Sequence, residues 1–445
     1  MRLPVLQQRL CGPSLVVFAL LTAVPVLAHG SPDDPALGET TGTESAEHLD
    51  APAPAGPLDA IDGEPATDDG EPAALDRESA AEAGVSGAPP LSSASTDPTT
   101  LLPTPLDLAM VYREASVTPR SKPRVSVGGF ADVDAQVASN LPGVDLIIGQ
   151  LVAHVSADLT GGFGAFAEVT LNSRPSWEVR VERLLLFWER SDALKLTLGR
   201  FHIPVTWWND TFHHGVWLQT SARRPLMVGY DDAFVPNHAV GLYADGFVPG
   251  LEAVGLRYHV GLNGGGDDYR HLKHGGDVSV QRADRRLGWT AGIAFEPRAL
   301  PLFRIGGVAY GDPMRARAGE QVGELAVGGH VVYAGELPEV IAEYVWVRHD
   351  AHESRDVYDN HGFYVQTAVR LPKPVEQLKP YLRYEQMWID PGDPTLLDKS
   401  SEQLAMVGLR IDATSWLAFK VEAAWRKRIK TAPFAEGYVQ VSAAW

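Results

Sequence analysis

The side chains best equipped for chemistry crowd into residues 205–236, VTWWNDTFHHGVWLQTSARRPLMVGYDDAFVP, and the borders of that stretch. His213 and His214 lie inside it, with Arg200 and His202 just before and His238 just after. Imidazole and carboxylate are ordinary metal ligands, so these histidines and Asp210 invite a metal reading. Adjacent histidines on an extended chain, however, point to opposite sides, and no H-E-x-x-H spacing occurs. The expectation is hydrogen-bonded packing within the segment, or lining of a passage, with no metal and no cofactor assigned. The guanidinium groups of Arg200, Arg223 and Arg224 are planar donor forks suited to oxyanions. Set opposite Asp210, Asp231 and Asp232, they would polarise a narrow water-filled constriction. The plainer alternative is a set of ion pairs that stabilises the segment.

Catalysis finds little support. The chain has no G-x-S-x-G nucleophile elbow and no phosphate-binding glycine loop. A Ser/His/Asp trio can always be picked from a chain with 14 histidines, which makes such a pick uninformative. The one cysteine, Cys11, falls within the first 28 residues, so the remainder offers no thiol nucleophile, disulfide or Cys-ligated zinc. No enzyme is expected.

The 205–236 segment is also rich in Trp207, Trp208, Phe212, Trp217, Leu218, Met227, Tyr230 and Phe234. That is too apolar for a loop standing in water, so something must cover it. What surrounds it can be read from the rest of the chain. Residues 1–28 carry Arg2 and Arg9, then an apolar run from Leu15 to Val24, and finish Val26-Leu27-Ala28. This is the order of an export signal, too short to span a bilayer. Residues 29–120 form an acidic Pro/Ala-rich segment, expected to be disordered because it cannot bury enough apolar area to offset its ordering entropy. Residues 30–120 hold 18 acidic and 3 basic side chains, most of the net charge of −18. From Ser121 onward the balance is 38 acidic to 33 basic, and no basic stripe suggests a nucleic-acid partner.

From Arg124 to Trp445 the pattern is an alternation of period 2. Val125, Val127, Ala131, Val133, Ala135 and Val137 share one face, while Ser126, Asp132, Asp134 and Gln136 share the other. Near the end, Leu417, Phe419, Val421, Ala423 and Trp425 oppose Lys420, Glu422 and Arg426. The last residues, EGYVQVSAAW, alternate in the same way and stop on an aromatic. Sixteen such runs follow one another. The first eight cover 124–139, 146–160, 163–173, 178–190, 194–204, 237–248, 251–264 and 285–296. The rest cover 302–311, 322–334, 339–349, 361–371, 378–390, 401–412, 416–428 and 436–445. Gaps after even-numbered runs are short, such as Gly161-Gly162 and Pro249-Gly250, and the longest follow odd-numbered runs. Tight turns at one end and long loops at the other are the habit of barrels that cross an outer membrane. In lipid every backbone amide must pair within the protein, and a closed sheet is the only β solution.

Residues 121–445 are thus expected to be an all-β transmembrane antiparallel β-barrel of about 16 strands. Its third long loop would be 205–236, and LGRFHIP (198–204) leads into it. Here the chain resembles the Gram-negative general and phosphate-selective porins. The resemblance implies a third loop folded into the barrel, a lumen open to water, and passive passage of small hydrophilic solutes or ions. It implies an outer-membrane location among lipid, with the N-terminal segment in the periplasm. Lysines are few, so a lysine-rich phosphate ladder is not carried over, and Arg200, Arg223 and Arg224 are the remaining phosphate-capable groups. Arg200, His202, Asp210, His213, His214, Arg223, Arg224, Asp231 and Asp232 are the constriction candidates. Small outward residues (Ala165, Ala167, Ala423, Ala443) permit contacts in a homotrimer. The rival reading is a barrel without a conducting pore that serves as an adhesin or an envelope-structural protein.

Overall fold

The computed structural model describes residues 123–445, apart from 174–176, 230–233, 253, 265–286, 316–319 and 398. The export-signal and acidic-segment expectations, together with Asp231 and Asp232, lie outside the described residues. Sixteen strands form one closed antiparallel barrel, each bonded to its neighbours in sequence. They begin with β1 (Arg124–Ala138), β2 (Leu141–Asp158), β3 (Phe163–Asn172), β4 (Glu178–Ser191), β5 (Leu194–His202) and β6 (His238–Phe247). Next come β7 (Leu256–Asn263), β8 (Gly288–Phe295), β9 (Phe303–Arg315), β10 (Gln321–Ala334) and β11 (Glu339–Ala351). The last are β12 (Val357–Ala368), β13 (Leu378–Trp388), β14 (Glu402–Asp412), β15 (Leu417–Arg428) and β16 (Phe434–Ala444). Closure is made by β1 on β16, in register from Phe130 opposite Ala444 to Ala138 opposite Glu436. Gly129 and Trp445 exchange both backbone hydrogen bonds at 3.2 Å, so the ladder has no open edge there.

Several boundaries differ from the sequence reading, those of the second, seventh and twelfth strands among them. The second strand starts at Leu141 rather than 146, so only Ser139 and Asn140 join it to β1. The seventh starts at Leu256 rather than 251. Ahead of it Leu251 N–H bonds the Val248 carbonyl at 2.9 Å and Gly255 N–H the Leu251 carbonyl at 3.0 Å, which makes a tight turn there instead. The twelfth spans Val357–Ala368 rather than 361–371, ahead of the prolines at 372 and 374 that lack a ladder donor.

The pleat sorts the side chains as the alternation predicts. On β15, Phe419, Val421 and Trp425 face outward and are exposed, while Lys420 and Glu422 face inward at 0% and 2% exposure. Leucine, valine and isoleucine stand exposed on the outer face from β1 to β16. Trp289, Trp388, Trp425 and Trp445 join them, as aromatics of an interface girdle would. Tyr310 does not: it points inward, is buried, and donates its hydroxyl to Asp312 at 3.2 Å. The molecule is therefore apolar outside and charged inside. Val421→Arg, placed on that outer face, should destabilise the barrel folded in lipid vesicles by about 2–4 kcal/mol. Urea unfolding in vesicles measures this, and a change near zero would mean that Val421 does not meet lipid.

Candidate functional site: a loop laid against the inner wall

The segment between β5 and β6 leaves and returns at one point, where Ile203 N–H donates to the Asn237 carbonyl at 2.9 Å. Thr206 caps a short helix, α1 (Trp207–Phe212), its hydroxyl accepting from Asn209 N–H at 3.1 Å. The aromatic and aliphatic side chains of the segment are buried, including Trp207, Trp208, Phe212, Trp217, Met227 and Phe234. A chain laid inside a sheet-lined space must also find partners for its peptide groups. The inner wall supplies them from charged side chains. Glu343 on β11 accepts the N–H groups of Trp207 and Trp208 at 2.5 and 3.0 Å, and the Tyr364 hydroxyl at 2.5 Å. Glu385 on β13 accepts Leu226 N–H at 2.5 Å. Arg383 donates to the carbonyls of Arg223 and Arg224 at 2.8 and 3.1 Å, and Arg410 to those of Trp217 and Gln219 at 2.6 and 2.8 Å. Lys420 donates to the Ser221 carbonyl at 3.2 Å and also to that of Val216. Glu422 accepts Ala222 N–H at 2.7 Å.

Space for the segment comes from two glycines in one row of the wall. Gly328 on β10 lies opposite Val345 on β11, which lies opposite Gly362 on β12. A Cβ on Gly328 would come within 1.8 Å of the Val205 carbonyl oxygen, and one on Gly362 within 2.9 Å of the Phe234 ring.

The candidates named from sequence divide into groups. Arg223 pairs with Glu422 of β15 at 2.9 Å and with Glu436 of β16, so the wall, not Asp210, provides its carboxylates. Arg224 donates to the His213 carbonyl and lies over the Trp208 ring at 5.2 Å. Arg200 sits elsewhere, its Nε donating to the Glu182 carbonyl at 3.0 Å and its guanidinium 4.0 Å from the Glu182 carboxylate. Just before it, Gly199 takes φ 139°, a left-handed conformation that glycine adopts freely. Asp210 is exposed and lines a cavity. His202, His213, His214 and His238 come together: one ring nitrogen from each lies within 4.8 Å of the other three.

That convergence corrects the expectation of an extended chain at the histidine pair. His213 is the C-terminal cap of α1, in right-handed helical geometry, so the two adjacent rings turn toward one cluster with centroids 4.4 Å apart. His213 Nδ1 bonds the Asn209 amide oxygen within the segment, but His214 Nδ1 reaches Gln150 on β2 at 2.8 Å. Burial, then the neighbouring His214, His202 and Arg224, holds His213 well below the usual imidazole range. The carboxylates and cations that hold the segment were legible only as polar positions of an alternating run. Nothing in their spacing marked Glu343, Arg383 or Arg410 as its anchors.

Two cavities flank the segment. One of about 350 Å³ lies toward the short-turn end, where charges of both signs line it, among them Glu168, Arg183, Asp210 and Arg257. The other, of about 860 Å³, lies toward the long-loop end. Six arginines and Lys399 line it, against Asp132, Asp134 and Glu436. Gly328→Val should push the segment off β10 at a cost of about 1–3 kcal/mol. Gly329→Ala, whose added Cβ would meet only an ordinary contact at 3.8 Å, should be silent. Protease susceptibility of residues 205–229 in the folded barrel reads the difference, and equal protection in both variants would contradict the packing.

No protein-family model matches the sequence, and no curated protein matches it by sequence. Solved structures do. An anion-selective porin from Comamonas acidovorans superposes with a TM-score of 0.53 at 10% identity, over 73% of this chain and 100% of that one. The outer membrane channel DcaP of Acinetobacter baumannii gives 0.52 at 12%, over 73% and 98%. OmpT of Vibrio cholerae, in a trimer form, gives 0.50 at 11%, over 73% and 100%. At these identities the likeness is one of fold, and with the strand count and closure it places residues 124–445 in the sixteen-stranded barrel fold of the outer-membrane porins.

Proposed function

We propose that this chain is an outer-membrane porin, a passive channel for small hydrophilic solutes or ions, with no chemistry of its own. The observation that carries the reading is a closed barrel with an apolar outside and charged cavities on both sides of an inner segment. Sixteen strands enclose more space than their side chains fill. Residues 205–236 narrow that space, and solutes pass between the segment and the wall.

The long-loop cavity gives the channel a preference for anions. Its basic side chains line the cavity together with one partner, Glu436, whereas their other partners Glu385, Glu402 and Glu422 do not. Guanidinium forks facing water attract anions without holding them in one geometry. Residues 1–28 act as the export signal, and the acidic segment after them is a solvated spacer in the periplasm. Three copies associate through their outer faces, an arrangement supported by the trimer form of one structural neighbour.

Planar-bilayer recording of the purified protein tests the proposal. Discrete conductance steps that scale with salt are expected, with anions more permeant than cations. Arg223→Ala with Arg224→Ala should move the permeability ratio toward cations, because two positive charges leave the cavity lining. An absence of steps would remove the channel and favour an adhesive or structural barrel. An unchanged ratio would remove the two arginines from the selective lining.

A further inference from the structure

His202, His213 and His214 border the smaller cavity, but the four-histidine cluster is built unlike the rest of the lumen. Elsewhere along the inner wall, charged side chains are paired or donate to the segment's backbone. His202 and His238 are at 6% and 0% exposure, yet neither ring makes a hydrogen bond among the described residues. Leaving buried polar atoms unpaired is costly. We propose that His202, His213, His214 and His238 bind one divalent transition-metal ion of the zinc or copper class. The ion fastens the inner segment to strands β5 and β6.

The arrangement of the rings supports this assignment. His213 and His214 each use Nδ1 on an amide oxygen, of Asn209 and Gln150 respectively. An amide oxygen only accepts, so Nδ1 carries the proton in both rings; Nε2 of His213 is then left with its lone pair, while Nε2 of His214 faces the Glu182 carboxylate at 3.3 Å and gives up any proton there when an ion binds. Ligating histidines are oriented in this way, by a hydrogen bond from the other ring nitrogen. His202 and His238 contribute from neighbouring strands, paired directly in the β5–β6 register with ring centroids 5.0 Å apart. The set thus contains two ligands from the wall and two from the segment. Four imidazoles are a nitrogen-only donor set, which suits zinc, copper or nickel and not calcium or magnesium. Zinc bonds nitrogen at about 2.0–2.1 Å, so a tetrahedral site wants its donors roughly 3.3 Å apart. The four donor atoms lie within 4.8 Å of one another, so a bound ion would draw them closer.

Glu182 supplies the charge. Its Oε2 lies 3.3 Å from Nε2 of both His214 and His238, and its Oε1 accepts the Thr170 hydroxyl at 2.8 Å. A buried carboxylate beside the four donors offsets one of the ion's two positive charges. Arg200, 4.0 Å from the same carboxylate, and Arg224, near His213, are the cations against which it acts.

The test uses the folded full-length chain in detergent, stripped with chelator and titrated with Zn²⁺ by calorimetry. One ion per chain is expected. His213→Ala with His214→Ala should abolish that binding, and Glu182→Gln should weaken it by about 10–100-fold. His271→Asn with His274→Asn, outside the described residues, should leave it intact. Cobalt(II) should give the visible absorption of tetrahedral coordination in the wild type and not in the double alanine variant. Zinc should also protect residues 205–229 from protease, and only when the cluster is intact. Folding of each variant is checked by its heat-modifiable gel mobility. Failure to bind one equivalent, or equal binding in the double alanine variant, would overturn the site. Binding without added protection would overturn the fastening role.

Discussion

A strand sheet closed in lipid inverts the usual placement of polarity, and the rest of this molecule follows from that inversion. The outer face must be apolar, because no water waits there to solvate anything else. Polar and charged side chains are thereby forced to the inside, where Lys379, Arg383, Arg410, Lys420 and Glu422 are all nearly inaccessible. Burying such charges without partners would be prohibitive. Here they are satisfied by one another and by the backbone of a segment that also needs partners. Each solves the other's problem. The 205–229 stretch can leave water because the wall offers donors and acceptors, and the wall can hold charges there because the stretch uses them.

The same logic operates on a second long loop. Asp393, between β13 and β14, contacts His349 of β11 at 2.6 Å, and His349 in turn contacts Glu324 of β10 at 3.0 Å. Asn360 and Thr395 also donate to Asp393, at 2.7 and 2.6 Å. Burial alone would raise the Asp393 carboxyl, but the bonds from His349 and Thr395 prevail and hold it below the usual range. Both of these loops are tied down by buried carboxylates. That gives the lumen a fixed shape, which a size- or charge-selective passage requires.

Much of this was legible in the sequence, and the part that was not has a physical reason. Alternation over 416–428 placed Lys420, Glu422 and Arg426 inside and Val421 and Trp425 outside, where they stand. The alternating runs gave the strand count, and the parity of the gaps between them pointed to a barrel that crosses a membrane. The run 251–264 reads as one strand, but Leu251 and Gly255 close a turn before β7 begins at Leu256. Long-range partners leave no local trace: nothing near Trp207 announces Glu343, which is 136 residues away. Nothing around Gly328 in the run 322–334 marks it as the seat of Val205. The histidine pair was misjudged for a related reason, since an extended backbone was assumed where α1 ends and the chain turns.

The inversion itself is the claim on which the account stands, and spin-label accessibility measures it most directly. Nitroxides would be attached at Val421→Cys and at Gln136→Cys, each in a Cys11→Ser background, with the protein reconstituted in vesicles. Val421 stands on the outer face and Gln136 lines the larger cavity. The label at 421 should relax with dissolved oxygen and ignore chromium oxalate, which stays in water, and the label at 136 should do the reverse. Chromium oxalate reaching position 421 as readily as position 136 would contradict a lipid-facing exterior and a water-filled interior.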